Sequence, residues 1–435
     1  MSRVLVLGYA LPRHDPGVRK EAHNYRTWQL ADSLVGDGHD VRLAAIDLFR
    51  PPWGSGREHV GDELLDAWVV DHRRRSWRRE IQALHDEFQP NAVVATGQLM
   101  CLVACDLRTS VALWFDLYGD PLFEWQAAMG VAGSHRGLRS ASGFQKLVLQ
   151  RGDAFSTVST RQTEAFRGRL ALLGRVNHLT CGYEFVHTIL PAIPPYAEQE
   201  AVGSIYRGTA VPSDAFVVLW VGGYNAWSDP ATLFSGIDSA MSEASTIHFV
   251  SIGGPVVSDI PYGRLQELIA TSRHRERYHL MGWRQERGEV LKAYREADIG
   301  ISVDLPIYET HFGTRTRLLE MLRYDLPVIT SDGCELAATL KREGAALTFE
   351  SQDSRSLTEL LVRASRDRSL LQAGIARGRG LAEGLLAFET TTAPLRAWVQ
   401  APRVAPDRAW SRAWTLDNTG RWWWRYAAWR LSGKF

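Results

Sequence analysis

The chain has 435 residues, 45% of them hydrophobic, and a formal net charge of +1. That length and apolar content predict two domains, each with its own core, and the near-neutral charge excludes a general attraction to nucleic acid. The basic residues are 45 Arg against 5 Lys, a bias that reads as genome composition. Cys101, Cys105, Cys181 and Cys334 form no CxxC pair and no zinc spacing, so they read as free thiols in a reducing cytoplasm. No run approaches the roughly 18–20 apolar residues of a membrane span, and the opening RVLVLGYAL fits a buried strand better than a signal segment.

In chain order, Val4 to Leu7 is a first strand and Gly8 ends it. A loop from Tyr9 to Val18 holds Gly17. A helix over about 21–35 follows, stopped by Gly36-Asp37-Gly38-His39. Asp40 to Ile46 is a second strand. Further strands are predicted at 92–95, 111–115 and 154–158, with helical stretches between. The proline-rich LPAIPPYAEQE, residues 190–200, reads as a linker. The same alternation then restarts, with strands at 216–221, 247–252, 279–281, 299–303, 327–330 and 346–349. Two such βαβ series imply two Rossmann-like domains of parallel sheet, with a ligand cleft between their carboxyl edges. The predicted boundaries are 1–195, 196–395 and a tail, 396–435.

The most chemical stretch is DIGISVDLPIYETHFGTRTRLLEMLRYDLPVITSDG, residues 298–333. A strand leads to a loop with Glu309, His311 and Gly313, then to a helix with Leu318, Leu319, Met321 and Leu322 for burial. Glycine, arginines and glutamates thus gather where a strand hands over to a helix. Free N–H groups and the dipole at a helix N-terminus suit an anion, and Arg315 and Arg317 suit phosphate. Glu309 and Glu320 suit hydroxyl groups. A phosphate and a polyol in one site indicate a nucleotide-sugar. Arg315 and Arg317 diverge by about 200° on a helix, so one is expected to hold phosphate and the other to orient a glutamate.

This stretch resembles the donor-binding segment of the retaining family-4 glycosyltransferases of the GT-B fold. The resemblance is carried by Phe312, Gly313, Glu320, Leu326, Pro327, Val328, Ile329, Ser331, Asp332 and Gly333. The spacing departs from the family's, with ten residues between Glu309 and Glu320 where the family has seven. The run is closer to an actinobacterial-type branch with an ETxFxxRTR string. Gly38-His39-Asp40-Val41, the string from Trp114 to Pro121, Asp153 to Gln162, Leu173 to Asn177 and WVGGYNAWSDP, residues 220–230, are similar to further segments of that branch.

The resemblance implies a transferase with a nucleoside-diphosphate sugar, UDP or GDP, as co-substrate and no cofactor. Glu320 would bind ribose, and Glu309 the donor sugar. Gly222, Gly223, Phe312, Gly313 and Thr314 would approach the donor, while Trp283 and Arg284 would border the base. Many family members place Arg and Lys after the paired glycines, where this chain has Asn225, Trp227 and Ser228. Cationic charge is therefore expected from Arg315 or Arg317. Asp116 would contact the sugar or position the acceptor, with a turn role as the alternative. Gly17 would serve an acceptor or phosphate loop. No DxD string stands where Mg²⁺ is expected, so metal-independent charge stabilisation by N–H groups and arginines is expected.

Residues 402–435 hold six of the sixteen Trp and a net charge of +5. Three readings stay open there: a last helix packed back on the first domain, a peripheral contact with an anionic membrane face, or a dimer contact. The expected acceptor is a natural product, a glycan or a lipid-linked intermediate. A non-transferase nucleotide-sugar enzyme of the same fold and a non-catalytic scaffold remain as alternatives.

Overall fold

The computed structural model describes residues 1–9, 22–48, 56–134, 137–192, 203–256, 258–284 and 286–409. Gly17, most of the predicted linker and most of the tail lie outside the described residues.

The first sheet has eight strands: β1 (Arg3–Tyr9), β2 (Asp40–Ile46), β3 (Arg57–His59), β4 (Asp66–Val70), β5 (Ala92–Thr96), β6 (Ala112–Asp116), β7 (Ala154–Thr157) and β8 (Val186–Thr188). Their order is β3-β4-β2-β1-β5-β6-β7-β8. All pairings are parallel except β3 with β4. The second sheet has six: β9 (Phe216–Val221), β10 (Ile247–Ile252), β11 (Tyr278–Leu280), β12 (Ile299–Ser302), β13 (Val328–Ser331) and β14 (Leu347–Phe349). Its order is β11-β10-β9-β12-β13-β14, all parallel.

The central strands are apolar runs because helices cover both faces of each sheet, so neither side of a strand meets water. Every residue of β5, β6, β9 and β10 is buried. Each sheet consequently has a separate apolar cluster on each face, one in the first sheet around Leu5, Ile81 and Phe155, and the other around Val6, Leu30 and Trp114. Strand order reverses between β1 and β5 in the first sheet and between β9 and β12 in the second. Those two switch points open crevices at the carboxyl ends, where loops face each other.

Three parts of this fold differ from the sequence reading, the first being the short edge strand β8, which no predicted strand covers. The β3–β4 hairpin is unforeseen, because Arg57-Glu58-His59 carries no apolar signal and is held as an edge strand by backbone pairing with Trp68–Val70. The segment predicted as a loop around Glu309 is a short helix, Tyr308–Phe312.

The chain also crosses back. The helices Phe388–Thr391 and Ala393–Gln400 pack on the first domain, where Leu395 and Val399 join the cluster of Val6 and Leu30. The boundary drawn at 395 falls inside the second of these helices. Ser2 Oγ donates to the Val399 carbonyl at 2.9 Å, and Arg396 pairs with Asp37. Beyond them, Arg175 donates to both carboxylate oxygens of Asp407, at 2.8 and 2.7 Å, with neither side chain exposed.

Removing one partner of such a pair strands the other charge in a dry interior. Asp407→Ala is therefore expected to cost about 3–5 kcal/mol, read as a lowered denaturation midpoint. A change below about 1 kcal/mol would show that this return segment does not anchor the first domain.

Candidate donor site between the two sheets

A cavity of about 420 Å³ lies between the carboxyl edges of the two sheets. The second domain contributes the turn after β9, the loop after β11, the helix Tyr308–Phe312 and the start of the helix Thr316–Arg323. The first domain contributes His23, Tyr25, Tyr118, Gly119 and Glu124.

Gly222 has φ +97°, a backbone region that an L side chain rarely adopts, and the position of its missing Cβ is open space. A Cβ at Gly223 would collide with Val256. The pair therefore gives a close-approach turn immediately after a buried strand. Arg317 reaches it from the start of the facing helix. Its guanidinium lies over the Trp220 ring at 4.0 Å, and Nη2 donates to the Gly223 carbonyl at 2.7 Å. Its Nη1 is buried and has no hydrogen-bond partner among the described residues. Burial pulls the guanidinium below its ordinary pKa, yet an arginine stays charged in a protein. A buried cation with an unused donor is costly unless an anion answers it.

Arg315 behaves differently, because it precedes the helix proper. Its Nε donates to Asp304 at 2.8 Å, and its Nη1 and Nη2 donate to the two oxygens of Glu309 at 3.2 and 2.7 Å. Burial alone would lower this guanidinium. The two carboxylates more than reverse that and hold it above its ordinary value. For Glu309, burial pushes the carboxyl up, and Arg315 only partly pulls it back. Arg315 is thus the orienting arginine and Arg317 the one with a donor to spare.

Glu320 lines the cavity one helical turn beyond Arg317. Its oxygens accept from Tyr25 at 2.9 Å and Tyr294 at 3.0 Å. Gly313, Thr314, Trp283 and Arg284 also line the cavity, and the Trp283 indole donates to the Pro255 carbonyl at 3.2 Å.

Two predicted residues are elsewhere. Asp116 is fully buried at the end of β6. It accepts from Arg26 Nε at 2.9 Å and Nη2 at 2.6 Å, and from Ser156 Oγ at 2.7 Å. A carboxylate so committed and so enclosed positions the first helix and does not line the cavity. Phe312 does not line it either. Its ring stacks on Phe123 of the first domain at 4.8 Å, and its carbonyl accepts from Ser159 Oγ at 2.7 Å. It joins the domains. Sequence reasoning gave no role to His23, Tyr25, Tyr118 or Glu124. Tyr118 stands in a quoted string, and Glu124 has the ordinary look of an acid in a helix's first turn.

Residues 215–367 match the family model described as Glycosyl transferases group 1. No curated protein matches the sequence. Solved structures do. Sucrose-phosphate synthase from Thermosynechococcus elongatus is 16% identical, with a TM-score of 0.64 over 92% of this chain and 98% of that one. The trehalose-6-phosphate protein from E. coli bound with UDP-2-fluoro glucose is 11% identical, with a TM-score of 0.65 over 93% and 100%. WaaG, a glycosyltransferase involved in lipopolysaccharide biosynthesis, is 15% identical, with a TM-score of 0.56 over 92% and 100%. The fold is GT-B, and the matched segment carries the cavity's Gly222, Gly223, Arg317 and Glu320. Among the described residues, no helix is long and apolar enough to cross a membrane.

If Arg315 is the orienter, its removal is a stability event. Arg315→Ala leaves Asp304 and Glu309 buried without their cation and is expected to cost about 3–5 kcal/mol in a denaturant titration. Stability within about 1 kcal/mol of wild type would contradict that role.

Proposed function

We propose that the chain is a glycosyltransferase that moves a sugar from a nucleoside-diphosphate sugar to an acceptor nucleophile. The observation that carries this is Arg317, whose buried Nη1 has no hydrogen-bond partner among the described residues and lies beside the Gly222–Gly223 turn. A diphosphate is the group that answers both. It takes charge-assisted hydrogen bonds from Arg317, and the glycine turn lets the backbone come close.

In the proposed reaction, the anomeric carbon–oxygen bond breaks, and its electron pair leaves on the diphosphate. The acceptor's nucleophilic atom forms the new bond and gives up its proton. Arg317 and the amides near Gly222, Gly223, Gly313 and Thr314 would stabilise the developing charge. Glu320 would take the ribose hydroxyls, which requires them to displace or share with the phenols of Tyr25 and Tyr294. Glu309, aligned by Arg315, would meet the sugar hydroxyls. Retention is the course that the family resemblance favours, and no enzymic nucleophile is assigned. UDP is the favoured nucleotide, because the similar E. coli structure holds UDP-2-fluoro glucose.

A thermal-shift panel of UDP, GDP, ADP and TDP tests this. One nucleotide should raise the melting temperature in a concentration-dependent way. No rise with any would contradict the proposal. Glu320→Ala should weaken that nucleotide about 10–100-fold, the worth of a hydrogen bond to a charged group. Affinity equal to wild type would remove Glu320 from the site. The proposed metal independence predicts the same shift with EDTA, and a shift restored only by Mg²⁺ would overturn it.

A further inference from the structure

Three residues lining the cavity keep a buried polar side-chain atom with no hydrogen-bond partner among the described residues: Arg284 Nε, Thr314 Oγ1 and Arg317 Nη1. All three can donate, and no carboxylate oxygen of the described lining is left in the same state. Unanswered donors without unanswered acceptors mark a place for an anion. Arg315 is spent on Asp304 and Glu309. Beside Arg317, Arg284 is therefore the one remaining arginine or lysine among the described lining residues.

Arg284 and Arg317 stand on opposite sides of the glycine turn. The sheet order β11-β10-β9-β12 puts Gly222–Gly223, which follows β9, between the loop after β11 and the helix reached from β12. Arg284 is on that loop, and its neighbour Trp283 lies against Gly223 and Gly254. Among the described residues, its ion pair is Nη1 with Glu289 at 3.8 Å, too long for a hydrogen bond. The edge formed by Nε and Nη2 is uncommitted. Arg26 grips Asp116, and Arg175 grips Asp407, with that same edge. Two oxygens of a phosphate fit it in the same way.

We propose that Arg284 binds the nucleoside-side phosphate of the donor, while Arg317 binds the sugar-side phosphate. This rests on the glycosyltransferase reading above. A sugar diphosphate carries negative charge on both phosphates, and a single arginine leaves one of them unanswered inside the cavity. Glu309, the proposed sugar ligand, is reached from β12, as Arg317 is, so the sugar end of the diphosphate points to that side. The other phosphate then crosses the glycine turn toward Arg284. The Thr314 hydroxyl, also on the β12 side, is left to donate to the sugar-side phosphate. Charge that develops on the leaving diphosphate is thus met by a fixed cation at each end. In a retaining displacement, this grip keeps the leaving group on the face that the acceptor enters.

Calorimetric titration with uridine, UMP and UDP, or with the same series of whichever base binds, separates the two phosphates. Arg284→Ala should weaken UMP and UDP alike, about 10-fold or more, and leave uridine unchanged. The unchanged uridine affinity doubles as the check that the variant is folded. Arg317→Ala should weaken UDP by a similar factor and spare UMP. Arg284→Lys, which keeps the charge and loses the fork, should recover part of the loss. Two results would overturn the proposal. Uridine weakened as much as UMP by Arg284→Ala would put the side chain on the base, and UMP affinity within about twofold of wild type would leave it in solvent. A wild type that binds no member of any series would instead bring down the transferase reading, and this inference with it.

Discussion

The buried ion-pair cluster of Arg315 with Asp304 and Glu309 is the constraint around which the rest of the site is arranged. Asp304 follows β12, Glu309 is on the next short helix, and Arg315 immediately precedes the helix after that. One guanidinium therefore ties three successive segments together in a dry setting. Burial is the main cause of the upward pull on Glu309 despite its partner, and the charge of Asp304 adds to it. With Arg315 spent on this, the helix can present Arg317 to the glycine turn with a donor unused among the described residues. In the proposed function, structure and ligand binding are thus divided between two arginines that sit two residues apart.

The cavity has walls from both domains, and specific contacts join them. Tyr25 reaches Glu320, Phe123 stacks on Phe312, and Ser159 Oγ donates to the Phe312 carbonyl. Glu335 accepts from the backbone N–H of Thr160 and of Arg161 at 3.0 and 3.1 Å, so an acid of one domain caps a helix of the other. Such contacts hold the two walls together, and in the proposed function that arrangement keeps water from the reacting sugar. Most of them are only partly buried, which in the proposed function suits domains that part to admit a donor.

The sheets were largely legible in the sequence, because strands buried on both faces leave unbroken apolar runs such as Phe216–Val221 and Ile247–Ile252. The edge hairpin was not, since Arg57–His59 is held by pairing and not by burial. Within the site, the glycine turn and the strand-to-helix handover were visible, whereas the separation of about 200° expected of Arg315 and Arg317 on one helix does not apply, because Arg315 precedes the helix proper. Asp116 misled because a strand-end acid looks the same whether it faces a cleft or, as here, a buried Arg26. Glu124 was invisible for the converse reason. Its place on the cavity wall is set by packing of its neighbour Phe123 against a distant part of the chain, which leaves no local pattern.

The central claim is that Arg317 is kept for a diphosphate. The most direct measurement is a calorimetric comparison of the binding nucleoside diphosphate with its parent nucleoside, on wild type and on Arg317→Ala. Wild type should prefer the diphosphate strongly, and the substitution should shrink that preference about 10-fold or more while barely changing nucleoside affinity. An undiminished preference for the diphosphate in Arg317→Ala would contradict the account.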